Sequence, residues 1–119
     1  MIIGIGTDLI EIERIKKACS NHVFFMRCFT EKERALIGDN VRTAAGNFAV
    51  KEAVAKAFGT GFRGFELKDI EVLRDDLGKP YVNLYGGAKK KAEELHIKSL
   101  HTSISNIKEL ASAYVVAED

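Results

Sequence analysis

Residues 2–10, IIGIGTDLI, form a β-branched, apolar run with two glycines, which predicts a buried strand over Ile2–Ile10. The period then changes. Ile12, Ile15 and Cys19 recur at helical spacing across Glu11–Cys19, with Arg14, Lys16 and Lys17 on the rest of the surface. Val23–Phe29, apolar and basic, predicts a second short helix. Thr30-Glu31-Lys32-Glu33 has the form of a capping box, in which Thr30 caps the Glu33 amide and Glu33 reaches back. It opens a helix over Glu31–Ile37 that Gly38-Asp39-Asn40 ends. The main helix is predicted over Val41–Phe58, with Gly59 as its left-handed stop. At about 100° per residue, Gly46, Ala49, Val50, Ala53, Val54, Ala57 and Phe58 share one broad face. These small residues let the helix lie close on a sheet. Ala45, Glu52 and Lys56 form a stripe at the edge of that face.

Further along, Ile70–Arg74 predicts a strand, Asp75–Pro80 is turn chemistry, and Tyr81–Tyr85 returns. Gly87–His96 reads as a helix carrying the run Lys89-Lys90-Lys91. Ser99–Ser105 and Leu110–Ala117 read as a hairpin that turns near Asn106–Lys108. The expected class is α+β, one long helix packed on a mostly antiparallel sheet, in one domain over 1–119.

Composition narrows the function classes. A chain of 119 residues with 46% hydrophobic and 29% charged residues is an ordinary globular domain. Its core is thin, and burying more surface in an oligomer would help it. A formal net charge of +1 argues against whole-molecule steering toward nucleic acid. Cys19 and Cys28 lack metal-site or CxxC spacing, so a reducing compartment is expected. The N-terminal run has no basic start and turns acidic at Asp8 and Glu11, unlike a signal peptide. No stretch is long enough to span a membrane. The expectation is a cytoplasmic protein without membrane or nucleic-acid partners.

The loudest motif is Gly59-Thr60-Gly61-Phe62-Arg63-Gly64, which matches GxGxxG. A dinucleotide site needs this motif between a strand and a helix N-terminus. Here it follows a helix, so it reads as a helix stop and turn whose backbone a ligand can still approach. The quieter signal is Glu52 and Lys56. By spacing alone they are a surface i,i+4 ion pair. Asp8, at the end of the first strand, adds a second hard oxygen donor from a separate element. Magnesium takes one or two carboxylates, keeps waters and completes its shell with substrate phosphates. Lys56 beside such a site would neutralise phosphate charge. The residues permit this constellation, and they equally permit a turn or cap role for Asp8. His101, Ser103 and Ser105 alternate onto one strand face, which also fits a half-buried polar face. Glu11–Arg27 combines Arg14, Lys16, Lys17 and Arg27 with Phe24, Phe25 and Met26. Such a stretch is either a core-packed helix pair or a docking surface for an acidic amphipathic helix.

Five segments together carry a resemblance: GIGTDLIEIERI (4–15), FTEKE (29–33), NFAVKEAVAKAFGTG (47–61), LGKP (77–80) and HTSIS (101–105). In this order and spacing the chain resembles the holo-[acyl-carrier-protein] synthases, the small bacterial 4′-phosphopantetheinyl transferases. The resemblance implies transfer of 4′-phosphopantetheine from coenzyme A to a serine of apo-acyl-carrier protein. It further implies release of adenosine 3′,5′-bisphosphate, a requirement for Mg2+, and a homotrimer with active sites at subunit interfaces. Position by position, it implies Asp8 and Glu52 as metal ligands and Lys56 as the phosphate contact. Glu52 would also help activate the serine through a water. Gly59, Thr60 and Gly61 would lie near the nucleotide and His101 near its 3′-phosphate. Arg14 would meet an acidic residue of the carrier, and Phe24, Phe25 and Met26 the carrier's helix. Two positions depart from the family pattern. Asn47 stands where arginine is frequent, with Arg42 about a turn earlier as the expected partial substitute, and Asn106 stands where many members have a second histidine. The rival readings are a non-catalytic coenzyme A or nucleotide-binding module, which needs no paired carboxylates, and a magnesium-dependent phosphohydrolase, which needs no docking segment.

Overall fold

A computed structural model describes residues 1–119. The elements run β1 (Ile2–Glu11), α1 (Ile12–Cys19), α2 (His22–Cys28), α3 (Glu31–Ile37), α4 (Val41–Phe58), a 3-10 turn (Leu67–Asp69), β2 (Ile70–Arg74), β3 (Pro80–Leu84), α5 (Gly86–Glu94), β4 (Ser99–Asn106) and β5 (Leu110–Glu118). One sheet has the order β1-β5-β4 and the other pairs β2 with β3. Every pairing is antiparallel. The α+β expectation and the bounds of α3 and α4 hold. The other elements fall within a residue or two of their predicted ends.

The caps explain those ends. Thr30 accepts from the Glu33 amide at 3.2 Å while Glu33 accepts from the Thr30 amide at 3.1 Å, closing the box. Asn40 caps α4 by accepting from the Thr43 amide at 3.1 Å. Gly59, at φ 78°, ends it.

Helix α4 is more central than its sequence suggests. Beyond the predicted face, Ala44, Ala45, Asn47, Lys51 and Ala55 are also buried. The three-stranded sheet covers one side, and α3, the 3-10 turn and β2 cover the other. Ala45 is thus a core residue and not part of an exposed stripe. Val50 and Val54 are fully enclosed, a burial worth about 1.5–3 kcal/mol each.

The first strand departs from expectation in an informative way. Its alternation puts Gly4 and Gly6 toward α4, whereas Ile3, Ile5 and Leu9 point away and are exposed. It is therefore buried on one face only. A Cβ on Gly4 would lie 2.0 Å from the Ala57 carbonyl oxygen, and one on Gly6 would lie 1.8 Å from that of Ala53. Only hydrogen fits there. The two glycines set how closely β1 approaches the helix.

Candidate active site

Asp8 follows Gly6 on the helix-facing side of β1, so the close approach of strand and helix carries its carboxylate to α4. The Lys56 Nζ lies 3.6 Å from Asp8 Oδ1 and donates to the Thr7 carbonyl oxygen at 2.9 Å. Glu52, one turn earlier on α4, is half-buried beside them. Burial pushes the Glu52 carboxyl above its ordinary value, the Asp8 carboxylate adds to this, and Lys56 opposes it. Asp8 is likewise raised, first by burial, against the pull of Lys56. Two carboxylates against one ammonium leave a surplus of negative charge that a cation would relieve. No third His, Cys, Asp or Glu joins them. Two hard oxygen donors suit an ion that keeps waters and binds substrate phosphates, as magnesium does, better than a closed structural metal site.

These carboxylates open onto a cleft of about 360 Å³, whose walls include Arg14, Ile15, Ala18, Phe24 and Phe48. Arg14 and Phe24 are therefore brought to the same opening as Asp8 and Glu52. The Phe24 and Phe48 rings pack at 6.3 Å between centroids. Phe48 escaped the sequence reading, although it lies four residues before Glu52 on the same stripe of α4. Phe25 belongs elsewhere. It packs on Phe29 at 5.5 Å and lines a separate pocket with Cys19 and Ile37. The apolar wall beside the carboxylates is thus Phe24 with Phe48, and Met26 stands partly exposed on α2.

The glycine loop follows the C-terminus of α4, one turn beyond Lys56, with Gly59, Gly61 and Gly64 all at positive φ. It precedes the 3-10 turn and not a helix N-terminus, so the dinucleotide polarity is absent. Nothing lies within 4 Å of where a Cβ would stand at Gly59 or Gly61, and that face of the loop is open.

Two expected residues are not gathered at this site within one chain. His101 projects from the sheet face opposite α4, where its ring meets Glu118 Oε1 at 3.1 Å. β4 also lies at the far edge of the sheet from β1. Arg42 sits in the first turn of α4, roughly 15 Å along the axis from Glu52 at 1.5 Å per residue. There it lines a mostly polar cleft of about 330 Å³ with Asn40, Thr43, Arg74, Gly78, Pro80 and Asn106. No acidic residue lines that cleft. Arg74, which the sequence did not single out, is half-buried there, and its one protein acceptor is the Leu73 carbonyl at 3.3 Å.

Asn47 has a different place from the one its motif position suggests. Its side chain is enclosed, donating to Glu33 Oε2 at 3.1 Å and to the Val72 carbonyl at 2.9 Å. In this fold it belongs to the core between α3, α4 and β2 and is sealed from any phosphate, and Arg42 does not share its surroundings.

Comparison with known proteins follows the same lines. Residues 4–117 match the model of the 4′-phosphopantetheinyl transferase superfamily. The holo-[acyl-carrier-protein] synthase of Lachnoclostridium phytofermentans is 58% identical over 118 residues, covering 99% of this chain and 97% of that protein. The crystal structure of the Neisseria meningitidis holo-[acyl-carrier-protein] synthase superposes with a TM-score of 0.90 at 37% identity, covering all of both chains. The Bacillus anthracis enzyme, solved in complex with CoA (3′,5′-ADP), gives 0.83 at 40% identity, over 100% of this chain and 98% of that one. The chain belongs to the holo-[acyl-carrier-protein] synthase family of the 4′-phosphopantetheinyl transferase superfamily.

Proposed function

We propose that the chain transfers 4′-phosphopantetheine from coenzyme A to a serine of apo-acyl-carrier protein and releases adenosine 3′,5′-bisphosphate. The observation that carries this reading is the Asp8–Glu52–Lys56 cluster, opening onto the cleft that Arg14, Phe24 and Phe48 line. In the reaction the serine oxygen bonds to the phosphorus that bears pantetheine. The bond from that phosphorus to the bridging oxygen breaks, and its electron pair stays on the nucleotide's 5′-phosphate. Asp8 and Glu52 would hold Mg2+, which when bound supplies positive charge against the phosphate oxygens. Lys56 adds a second positive point, and its bond to the Thr7 carbonyl keeps it at the mouth of the site. Glu52 takes the serine proton through a water. The Gly59-Thr60-Gly61 loop offers open backbone to the nucleotide one turn beyond Lys56.

The carrier's acidic helix docks on α1 and α2. Arg14 meets its charge, and Phe24, Phe48 and Met26 meet its apolar side. A cytoplasmic setting is the reading that the free thiols of Cys19 and Cys28 favour; no helix is long and apolar enough to cross a membrane.

The assembly is a homotrimer with sites completed between subunits. Two observations support this. The outer face of the three-stranded sheet carries Ile5, Leu9 and Tyr114 at 69%, 65% and 63% exposure, an apolar surface that calls for a cover. His101 and Arg42, expected to contact nucleotide phosphate, stand away from Asp8 within one chain, an arrangement that suits their presentation by a neighbouring subunit. Arg74 then joins Arg42 as a phosphate contact.

The reading is tested by incubating the protein with coenzyme A, Mg2+ and an apo-acyl-carrier protein, and weighing the carrier intact. A phosphopantetheine-sized gain with release of adenosine 3′,5′-bisphosphate is expected. Unchanged carrier with intact coenzyme A would leave only a binding module, and cleavage of coenzyme A without carrier modification would indicate a hydrolase.

A further inference from the structure

Lys51 precedes Glu52 on α4 and points about 100° away from it, into the protein. The side chains of Lys51 and Glu33 are both 0% exposed. The Lys51 Nζ donates to Glu33 Oε1 at 2.7 Å, to the Leu67 carbonyl at 3.0 Å and to the Ile70 carbonyl. An ammonium has three donors, and here each is engaged with a different element: α3, the 3-10 turn and the start of β2. Glu33 is held in turn by the Thr30 amide and by Asn47. The Thr30 hydroxyl donates to Glu71 at 2.6 Å, which also accepts from the Tyr85 hydroxyl at 2.9 Å. This chain of bonds ties α4 to α3 and to the two-stranded sheet.

No reactant reaches Lys51, and stability alone does not account for the arrangement, since apolar residues often replace a buried ion pair without loss. Its consequence lies in geometry. Gly4 and Gly6 fix how closely α4 approaches β1 at Ala53 and Ala57. Lys51, roughly opposite those residues around the helix, fixes its other side, so the two together define the direction in which the edge carrying Glu52 faces. A carboxylate about 5–6 Å from the helix axis moves about 2 Å for a rotation of about 20°. Productive constellations tolerate roughly 0.5 Å, and magnesium demands near-ideal geometry.

We propose that Lys51, anchored by Glu33, is a positioning residue that sets the rotation of α4 and so the direction in which Glu52 faces Asp8. The proposal rests on the metal-site reading of Asp8 and Glu52 given above.

The test uses the full chain and two variants, Glu33→Gln/Lys51→Met, which removes both charges, and Glu33→Asp, which keeps them and shortens the anchor. Folding is monitored by circular dichroism. Mn2+ is titrated with adenosine 3′,5′-bisphosphate present, and free ion is read by electron paramagnetic resonance. Turnover is measured separately. In folded variants Mn2+ affinity should fall roughly ten- to hundredfold, as when partners of metal ligands are lost. kcat should fall with it, while KM for the carrier stays within about twofold. A folded variant with wild-type Mn2+ affinity and kcat would overturn the positioning role and leave the metal site standing. Wild-type protein that binds no Mn2+ would overturn both.

Discussion

The Nζ of Lys56 stands 3.6 Å from Oδ1 of Asp8, across the narrow contact that Gly4 and Gly6 create between β1 and α4. Residues 48 positions apart in sequence are thus brought to one edge of the helix. Glu52 shares that edge, and the surplus negative charge there has measurable consequences.

Without metal, Glu52 should cost stability. Its folded-state carboxyl is raised above the ordinary 4.5, first by burial and then by Asp8. Below that ordinary value it is protonated in both folded and unfolded chains and costs nothing. Above the raised value it is ionised in both, and the folded state bears the full penalty, so stability is lost as pH rises through this window. Glu52→Gln should therefore raise the urea midpoint of the metal-free protein at neutral pH, with the gain shrinking as pH falls toward about 4. Equal midpoints for variant and wild type at neutral pH would contradict the assigned electrostatics.

Gly6→Ala should be among the most damaging small substitutions. The new methyl would lie 1.8 Å from the Ala53 carbonyl oxygen, a backbone atom that cannot rotate aside. A loss of about 1–3 kcal/mol or more is expected, together with lower turnover as Asp8 is pushed from Glu52. Chemical denaturation checks the first, and a wild-type midpoint would show that the strand and helix do not meet this tightly.

Arg14→Glu should raise KM for the carrier by about tenfold, or about 1.4 kcal/mol, and leave KM for coenzyme A nearly unchanged. The effect should shrink at high salt, because exposed charges are screened. Steady-state kinetics at two ionic strengths decide the point, and equal effects on both substrates would remove Arg14 from docking.

Ile5→Glu should break the assembly. Ile5 is 69% exposed on the outer sheet face, and a charge buried there between subunits has no partner. Sedimentation velocity should show a lower-mass species with little activity. An unchanged species would place the interface elsewhere.

Local chemistry explains how much of this was readable beforehand. The Thr30–Glu33 box and Gly59 each act within a few residues, and they mark the start of α3 and the end of α4 correctly, whereas Asn40, read only as part of the stop after α3, caps the start of α4. Asp8, Glu52 and Lys56 could be singled out because carboxylates and a lysine at a strand end and on a helix edge are chemically suggestive. What stayed hidden depends on distant partners. Nothing near Lys51 in sequence announces that Glu33, 18 residues earlier, will enclose it. Asn47 looked like a missing charge until α3 and β2 closed over it. Ile3, Ile5 and Leu9 signalled burial, but the face they form finds no cover within the chain. Arg74 carries no motif and becomes notable only when the cleft beside Arg42 proves free of acids.

The central claim is that Asp8, Glu52 and Lys56 form the transfer site. The most direct test is the rate at which Glu52→Ala, confirmed folded and assembled as wild type, adds phosphopantetheine to apo-carrier protein at saturating Mg2+, followed by intact mass. Loss of a stabilising group at the reacting centre typically costs roughly a hundred- to a thousandfold in kcat, and a loss at least that large is predicted. Near-normal turnover by the folded variant would contradict the account.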